Sequence, residues 1–208
     1  ELVDYVNLYD GCIRYTDKVI RNLIINIEKK FPDSIFVITA DHGEEFREHG
    51  GLSHLEKLYD ELLQVPLIFY GSNISSRNIT TPSSLLSLGP TFLKMLNIKE
   101  NPWFQGKSFE ESDPYVISEA YGDKKIFSVR DEEWKYIESE KKKELYYLPN
   151  DTFEQNNLIS NSKYKETVLH FHKIVKNHIS SNEVERKARN TLLHKNKVKK
   201  VARQLKHI

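Results

Sequence analysis

The run Ser34-Ile35-Phe36-Val37-Ile38-Thr39-Ala40, followed at once by Asp41-His42-Gly43, constrains this chain more than any other stretch. Five of its seven residues are apolar, mostly β-branched or aromatic, as expected of a buried strand. It then stops in an acid, an imidazole and a glycine. Open α/β sheets present their chemistry at the carboxyl ends of strands, so a carboxylate and a histidine delivered there are candidates for function. Asp41 and His42 offer a hard oxygen and an imidazole nitrogen from adjacent positions, and such a pair can share a divalent cation. The same two residues also suit a plainer role, an acid capping its own loop beside a histidine bonded to the backbone.

The flanking segments say what kind of sheet this strand would join. Apolar residues at Val6, Tyr9, Ile13, Val19, Ile20, Leu23, Ile24 and Ile27 follow the helical period, and Phe31-Pro32-Asp33 ends the helix before the strand. Helix, short turn, buried strand is half of a βαβ unit and predicts a mostly parallel sheet. The segment from Glu44 to His54 holds three acids, two histidines, an arginine and two glycines, and leads through Leu55–Leu63 to a second strand at Val65–Tyr70. A loop this polar, anchored at a sheet edge, points to function more than to mere connection. Helical spacing returns over Leu85–Leu96. Beyond Asn101 come short β-prone runs at Tyr115–Ser118, Ile126–Val129, Trp134–Ile137 and Glu144–Leu148, separated by charged turns, which predict an antiparallel meander. Tyr164–Ile179 and Val184–Leu205 read as terminal helices.

Charge and cysteine content narrow the partners. The formal net charge is +1, so no nucleic-acid partner is expected. Arg186–Lys206 nevertheless carries nine basic residues and no acid. It reads as a solvated helix packing through Leu192, Leu193, Val198, Val201 and Leu205, with contact to an anionic surface as the sharper alternative. A single cysteine, Cys12, excludes an internal disulfide and fits a reducing, cytoplasmic setting. No apolar run is long enough for a membrane span.

Thr39-Ala40-Asp41-His42-Gly43-Glu44-Glu45, then Glu48-His49-Gly50-Gly51, His54, Leu58-Tyr59-Asp60-Glu61 and Val65-Pro66-Leu67-Ile68 resemble the sulfatase family of the alkaline phosphatase superfamily. Leu88-Gly89-Pro90-Thr91-Phe92-Leu93, Gln105-Gly106-Lys107-Ser108-Phe109, Glu133-Trp134-Lys135-Tyr136-Ile137 and Glu144–Leu158 extend the resemblance in order. It implies an α/β fold, part of an alkaline phosphatase-like α/β/α sandwich, with a small antiparallel C-terminal subdomain and terminal helices. The expected divisions are 1–100 for the core, 101–160 for the antiparallel subdomain and 161–208 for a helical basic tail. The resemblance further implies that Asp41 and His42 hold a catalytic divalent metal, calcium first, with magnesium, manganese or zinc as alternatives. His54 would contact the transferred sulfuryl or phosphoryl oxygens. Glu44, Glu45, Glu48 and His49 would support the loop, and Tyr59-Asp60-Glu61 would seat it on the following strand.

One departure is large. The family's nucleophile lies in a Cys/Ser-x-Pro-x-Arg motif, yet Cys12 is followed by Ile13-Arg14-Tyr15-Thr16 and reads as a core-edge residue of the first helix. No pair of consecutive aspartates follows an early strand. The chain therefore reads as the C-terminal portion of a sulfatase-like protein, holding part of the active site for a small-molecule sulfate or phosphate ester, with the N-terminal half as its natural partner. Phosphoester hydrolysis or phosphoethanolamine transfer is the rival chemistry, and a non-catalytic binding module the rival from another class. Without a covering half, a strand edge and an apolar face are expected to lie open.

Overall fold

The computed structural model describes residues 2–54, 56–99, 104–111, 113–121 and 125–184. The proposed basic helix at Val184–Leu205 lies almost wholly outside them. Helix α1 (Leu2–Glu28) realises the predicted apolar period and ends ahead of Pro32. Strands β1 (Phe36–Thr39) and β4 (Leu67–Tyr70) correspond to the two apolar runs, and between them lie the two-residue strands β2 (Glu45–Phe46) and β3 (Leu52–Ser53) and the short helix α2 (Asp60–Leu63). Helix α3 (Leu88–Met95) follows a 3₁₀ turn at Leu85–Ser87.

The parallel sheet predicted from the helix–strand order is not what forms. β1 and β4 pair antiparallel, with Phe36 opposite Tyr70 and Thr39 opposite Leu67. A parallel return would have to carry the chain back along the whole of β1, and α2, at four residues, rises only about 6 Å. The antiparallel register has a consequence for function: the polar connection from Ala40 to Pro66 leaves and rejoins the sheet at the same end.

The meander forms as predicted. β5 (Val116–Tyr121), β6 (Lys125–Arg130), β7 (Trp134–Ser139) and β8 (Lys143–Tyr147) make one antiparallel sheet in chain order. Its register places Val129 opposite Tyr136 and Tyr136 opposite Leu145, a row of three fully buried side chains on one face. Phe171 and Val175, from a helix over residues 165–184 (α4), close over that row and complete the main core with Phe127. Because side chains alternate across a strand, the next row falls on the opposite face: Arg130 opposite Lys135, and Lys135 opposite Tyr146. That face meets Tyr59, which clusters with Ile137, Tyr146 and Leu148. The sheet thus buries its main apolar row under α4, where His172 also meets Glu138, and the Lys135–Asp60 pair under α2.

The expected open surfaces are present. No residue of α1 is buried, and Leu8, Tyr15, Val19 and Leu23 are each about half exposed or more, on one stripe at helical spacing with the exposed Cys12. Cys12 therefore sits on the outer surface of α1 and not at a core edge. The β1–β4 pair is two strands wide, so each strand has an outer edge without a ladder partner among the described residues. No described helix is long and apolar enough to cross a membrane.

Candidate active site

Asp41 leaves the end of β1 and is almost wholly in solvent, its side chain 91% exposed. One of its oxygens, Oδ1, accepts the His42 backbone N–H at 3.1 Å, while Oδ2 lies 3.8 Å from His42 Nε2. His42 Nδ1 is 2.8 Å from the Gly43 carbonyl oxygen, which can only accept, so Nδ1 carries a proton, and in the neutral ring Nε2 keeps its lone pair. The backbone role weighed for this histidine is thus real, but it occupies one nitrogen only. Metal-bound histidines show this arrangement, in which a hydrogen bond at one nitrogen fixes the other for the ligand.

The His54 ring lies against the His42 ring, centroids 4.3 Å apart, and its Nδ1 is 3.4 Å from Glu44 Oε2. All three residues singled out from sequence therefore converge at one end of the β1–β4 sheet. Glu44 also accepts from the Tyr5 hydroxyl of α1 at 3.4 Å, and Tyr5 and Tyr9 pack on Phe46, so α1 is tied to the same loop.

A divalent cation is the group the resemblance implies, and Asp41 and His42 suit it in part. A carboxylate oxygen and a free imidazole nitrogen 3.8 Å apart can share one ion at bond lengths of about 2.0–2.5 Å. They do not make a complete site: among the described residues no group of three or more His, Cys, Asp or Glu is arranged to hold a metal.

The rest of the loop is held by buried polar contacts. Glu45 is fully buried, and both its oxygens lie 2.7 Å from Lys57 Nζ. It also accepts the backbone N–H groups of His49 and Gly51. Burial opposes its charge, but the Lys57 bonds and the backbone donors outweigh it and hold its pKa below the ordinary value. His49 stacks flat on Tyr59 at 3.5 Å, with Nδ1 on Glu61 at 2.7 Å and Nε2 on the Glu154 carbonyl at 3.0 Å. Tyr59 donates to Glu144 of β8, and burial followed by that carboxylate pushes its pKa up.

Asp60 is the main link to the meander. Its carboxylate takes Lys135 Nζ at 2.5 Å and Arg130 Nε at 3.0 Å, and its backbone N–H donates to Glu154 Oε2 at 2.6 Å. Tyr59-Asp60-Glu61 is expected to seat the loop on the following strand; the side-chain bonds of Tyr59 and Asp60 run instead to the C-terminal sheet, the Asp60 N–H goes to Glu154, and Glu61 bonds back to His49 of the loop. Lys135 and Glu154 were not singled out from sequence. The available signal was a lysine inside the apolar run Trp134–Ile137, a position where a charge is buried only if paired.

A sulfatase family model matches residues 3–98. Among curated proteins, the chain is 27% identical over 170 residues to a Delta 4,5-hexuronate-2-O-sulfatase of Bacteroides thetaiotaomicron, covering 71% of this chain and 35% of that protein. It is 28% identical over 144 residues to mouse arylsulfatase K, covering 59% of this chain and 26% of that one. Among solved structures, a 2-O GAG sulfatase superposes with a TM-score of 0.66 at 26% identity, over 72% of this chain and 36% of the other. The chain thus spans about a third of the length of the relatives it matches. The motifs around Asp41, the fold, the matching family model and these relatives agree in supporting the sulfatase family of the alkaline phosphatase superfamily as the one this chain is similar to.

Proposed function

We propose that this chain supplies part of the active site of a divalent-metal-dependent sulfate-ester hydrolase. The observation that carries the reading is the convergence of Asp41, His42 and His54 at the end of β1, with Asp41 Oδ2 3.8 Å from His42 Nε2 and the two imidazoles 4.3 Å apart. Asp41 and His42 are the proposed metal ligands. A bound cation, calcium in this reading, would polarise a sulfuryl oxygen of the substrate. His42 holds its proton on Nδ1, against Gly43, and so keeps Nε2 available as a ligand. His54, against the His42 ring and steadied by Glu44, presents its other nitrogen toward the substrate's non-bridging oxygens, where a donor would offset developing charge. The substrate is a small sulfate ester. The names of the curated relatives, which are sulfatases, favour it over a phosphate ester.

The nucleophile and the remaining acidic ligands belong to the rest of the fold. The exposed apolar stripe of α1 and the open edges of β1 and β4 are the surfaces such a portion would cover.

Manganese, a paramagnetic probe of weak divalent sites, tests the ligand pair. Titrated into the chain, it should broaden the NMR signals of Asp41 and His42 before any others, and calcium in excess should restore them. Asp41→Ala should abolish the effect. Broadening spread over the surface carboxylates, indifferent to Asp41→Ala, would remove the site. An aryl sulfate assay of the 208-residue chain with calcium should show no turnover, and turnover lost on Asp41→Ala would overturn the partial-site reading.

A further inference from the structure

Between the meander and His42 runs an unbroken line of directional contacts. Lys135 and Arg130, side by side on the charged face of the sheet, hold the two oxygens of Asp60. Asp60 begins α2, whose Tyr59 cap residue makes no side-chain cap bond, and the Asp60 N–H is taken instead by Glu154. At the other end of α2 the Leu62 carbonyl accepts the Gly43 N–H at 2.8 Å. The two touch so closely that a Cβ on Gly43 would lie 2.0 Å from the Glu61 carbonyl oxygen. The Gly43 carbonyl in turn takes the His42 Nδ1 proton.

We propose that Asp60 is a positioning residue for His42: held by Lys135 and Arg130, it fixes α2, α2 fixes Gly43 through its N–H, and the carbonyl of the same residue sets the His42 ring. Its functional consequence rests on His42 being a ligand, but the mechanical link does not. The choice of residue supports the assignment. Apolar side chains would pack α2 on the sheet at least as stably as a buried ion pair, because desolvation offsets most of the Coulombic gain. What charged partners add is direction, since a carboxylate gripped on both oxygens cannot rotate or slide as an apolar contact can. Three further bonds work in the same sense: Glu61 to His49, Tyr59 to Glu144, and the Gln155 amide donating to the Glu48 carbonyl. Each joins the loop or α2 to a different point, so α2 is a fixed abutment for the peptide beside His42.

The test compares Asp60→Asn with the wild-type chain, without metal or substrate. Asp60→Asn leaves Lys135 its second carboxylate, Glu154, at 3.1 Å. Amide exchange at Gly43 should rise about ten-fold or more relative to the amides of β6 and β7. The ¹⁵N shifts of His42 should move from those of a single Nδ1–H tautomer toward a mixture. Arg130→Met, which removes a partly exposed side chain and keeps the Lys135–Asp60 contact, should give a smaller change in the same direction. Unchanged Gly43 exchange and His42 shifts in a folded Asp60→Asn chain would overturn the proposal. So would loss of β6 and β7 protection in both variants, which would make the cluster a clamp of the whole fold. If manganese fails to find His42 in the wild type, the ligand reading falls while this comparison still reports on position.

Discussion

Lys135 Nζ lies 2.5 Å from Asp60 Oδ1, joining the inner face of the C-terminal sheet to a residue 75 positions earlier in the chain. The lysine is fully buried and its ammonium is shared with Glu154, 3.1 Å away. Removing it would leave two carboxylates facing each other with only Arg130 to compensate. Lys135→Met should therefore cost about 3–5 kcal/mol of unfolding free energy, the usual consequence of breaking a buried pair from one side. Urea unfolding followed by circular dichroism measures it. Adding Glu154→Gln should recover part of the loss, and strict additivity of the two changes would show that the residues do not interact.

Gly43 is the tightest point of the loop. Any side chain there meets the Glu61 carbonyl, a backbone atom that cannot swing away. Gly43→Ala should cost about 1–3 kcal/mol by overpacking and should break the Gly43–Leu62 hydrogen bond. The expected signature is local: the manganese effect at His42 is lost while the amides of β6 and β7 stay protected.

How much of this was legible beforehand follows from the range of the interactions. The strand at Phe36–Thr39, its termination in Asp41-His42, the long first helix and the four-stranded meander are written in local period, and each appeared where the pattern placed it. The pairing direction of β1 and β4 is a property of the connection between them, and strand periodicity carries no information on it. The convergence of His54 on His42 came from the family motif, since the eleven positions between them fix no geometry. The Asp60–Lys135–Glu154 cluster was invisible for a related reason. Each member is an ordinary charged residue in sequence, and only the register that sets Arg130 beside Lys135 turns it inward.

Leu8, Tyr15, Val19 and Leu23 form an apolar stripe on α1 that faces solvent. Exposed stripes of this kind drive association at high concentration. The chain should self-associate as concentration rises, and Val19→Glu with Leu23→Glu should reduce this without lowering the unfolding midpoint, because neither side chain is buried. Sedimentation velocity over a concentration series is the measurement. Cys12, on the same stripe, should react with a thiol reagent in the native chain and become slower as association proceeds.

Glu154 should give the chain an unusual pH dependence. Burial raises its pKa, and although Lys135 works in the opposite sense, the neighbouring Asp60 adds to the rise. Asp60 behaves oppositely: burial works against its charge, but Lys135 and Arg130 outweigh that and lower its pKa. A depressed carboxylate contributes stability that is present above its ordinary value of 3.8 and is lost as pH falls through the lower folded pKa. A raised carboxylate contributes stability that is present below its ordinary value of 4.5 and is lost as pH rises through the higher folded pKa. The Asp60 contribution should therefore grow on leaving strong acid, and the Glu154 contribution should decline from about pH 4.5 upward. Glu154→Gln mimics the protonated acid and still offers an oxygen to the Asp60 amide. The difference in unfolding free energy between this variant and the wild type should rise in the variant's favour as pH climbs above 4.5, and level off once the raised folded pKa is passed. Parallel stability curves above pH 4.5 would show that Glu154 titrates normally and that Lys135 neutralises both acids at once.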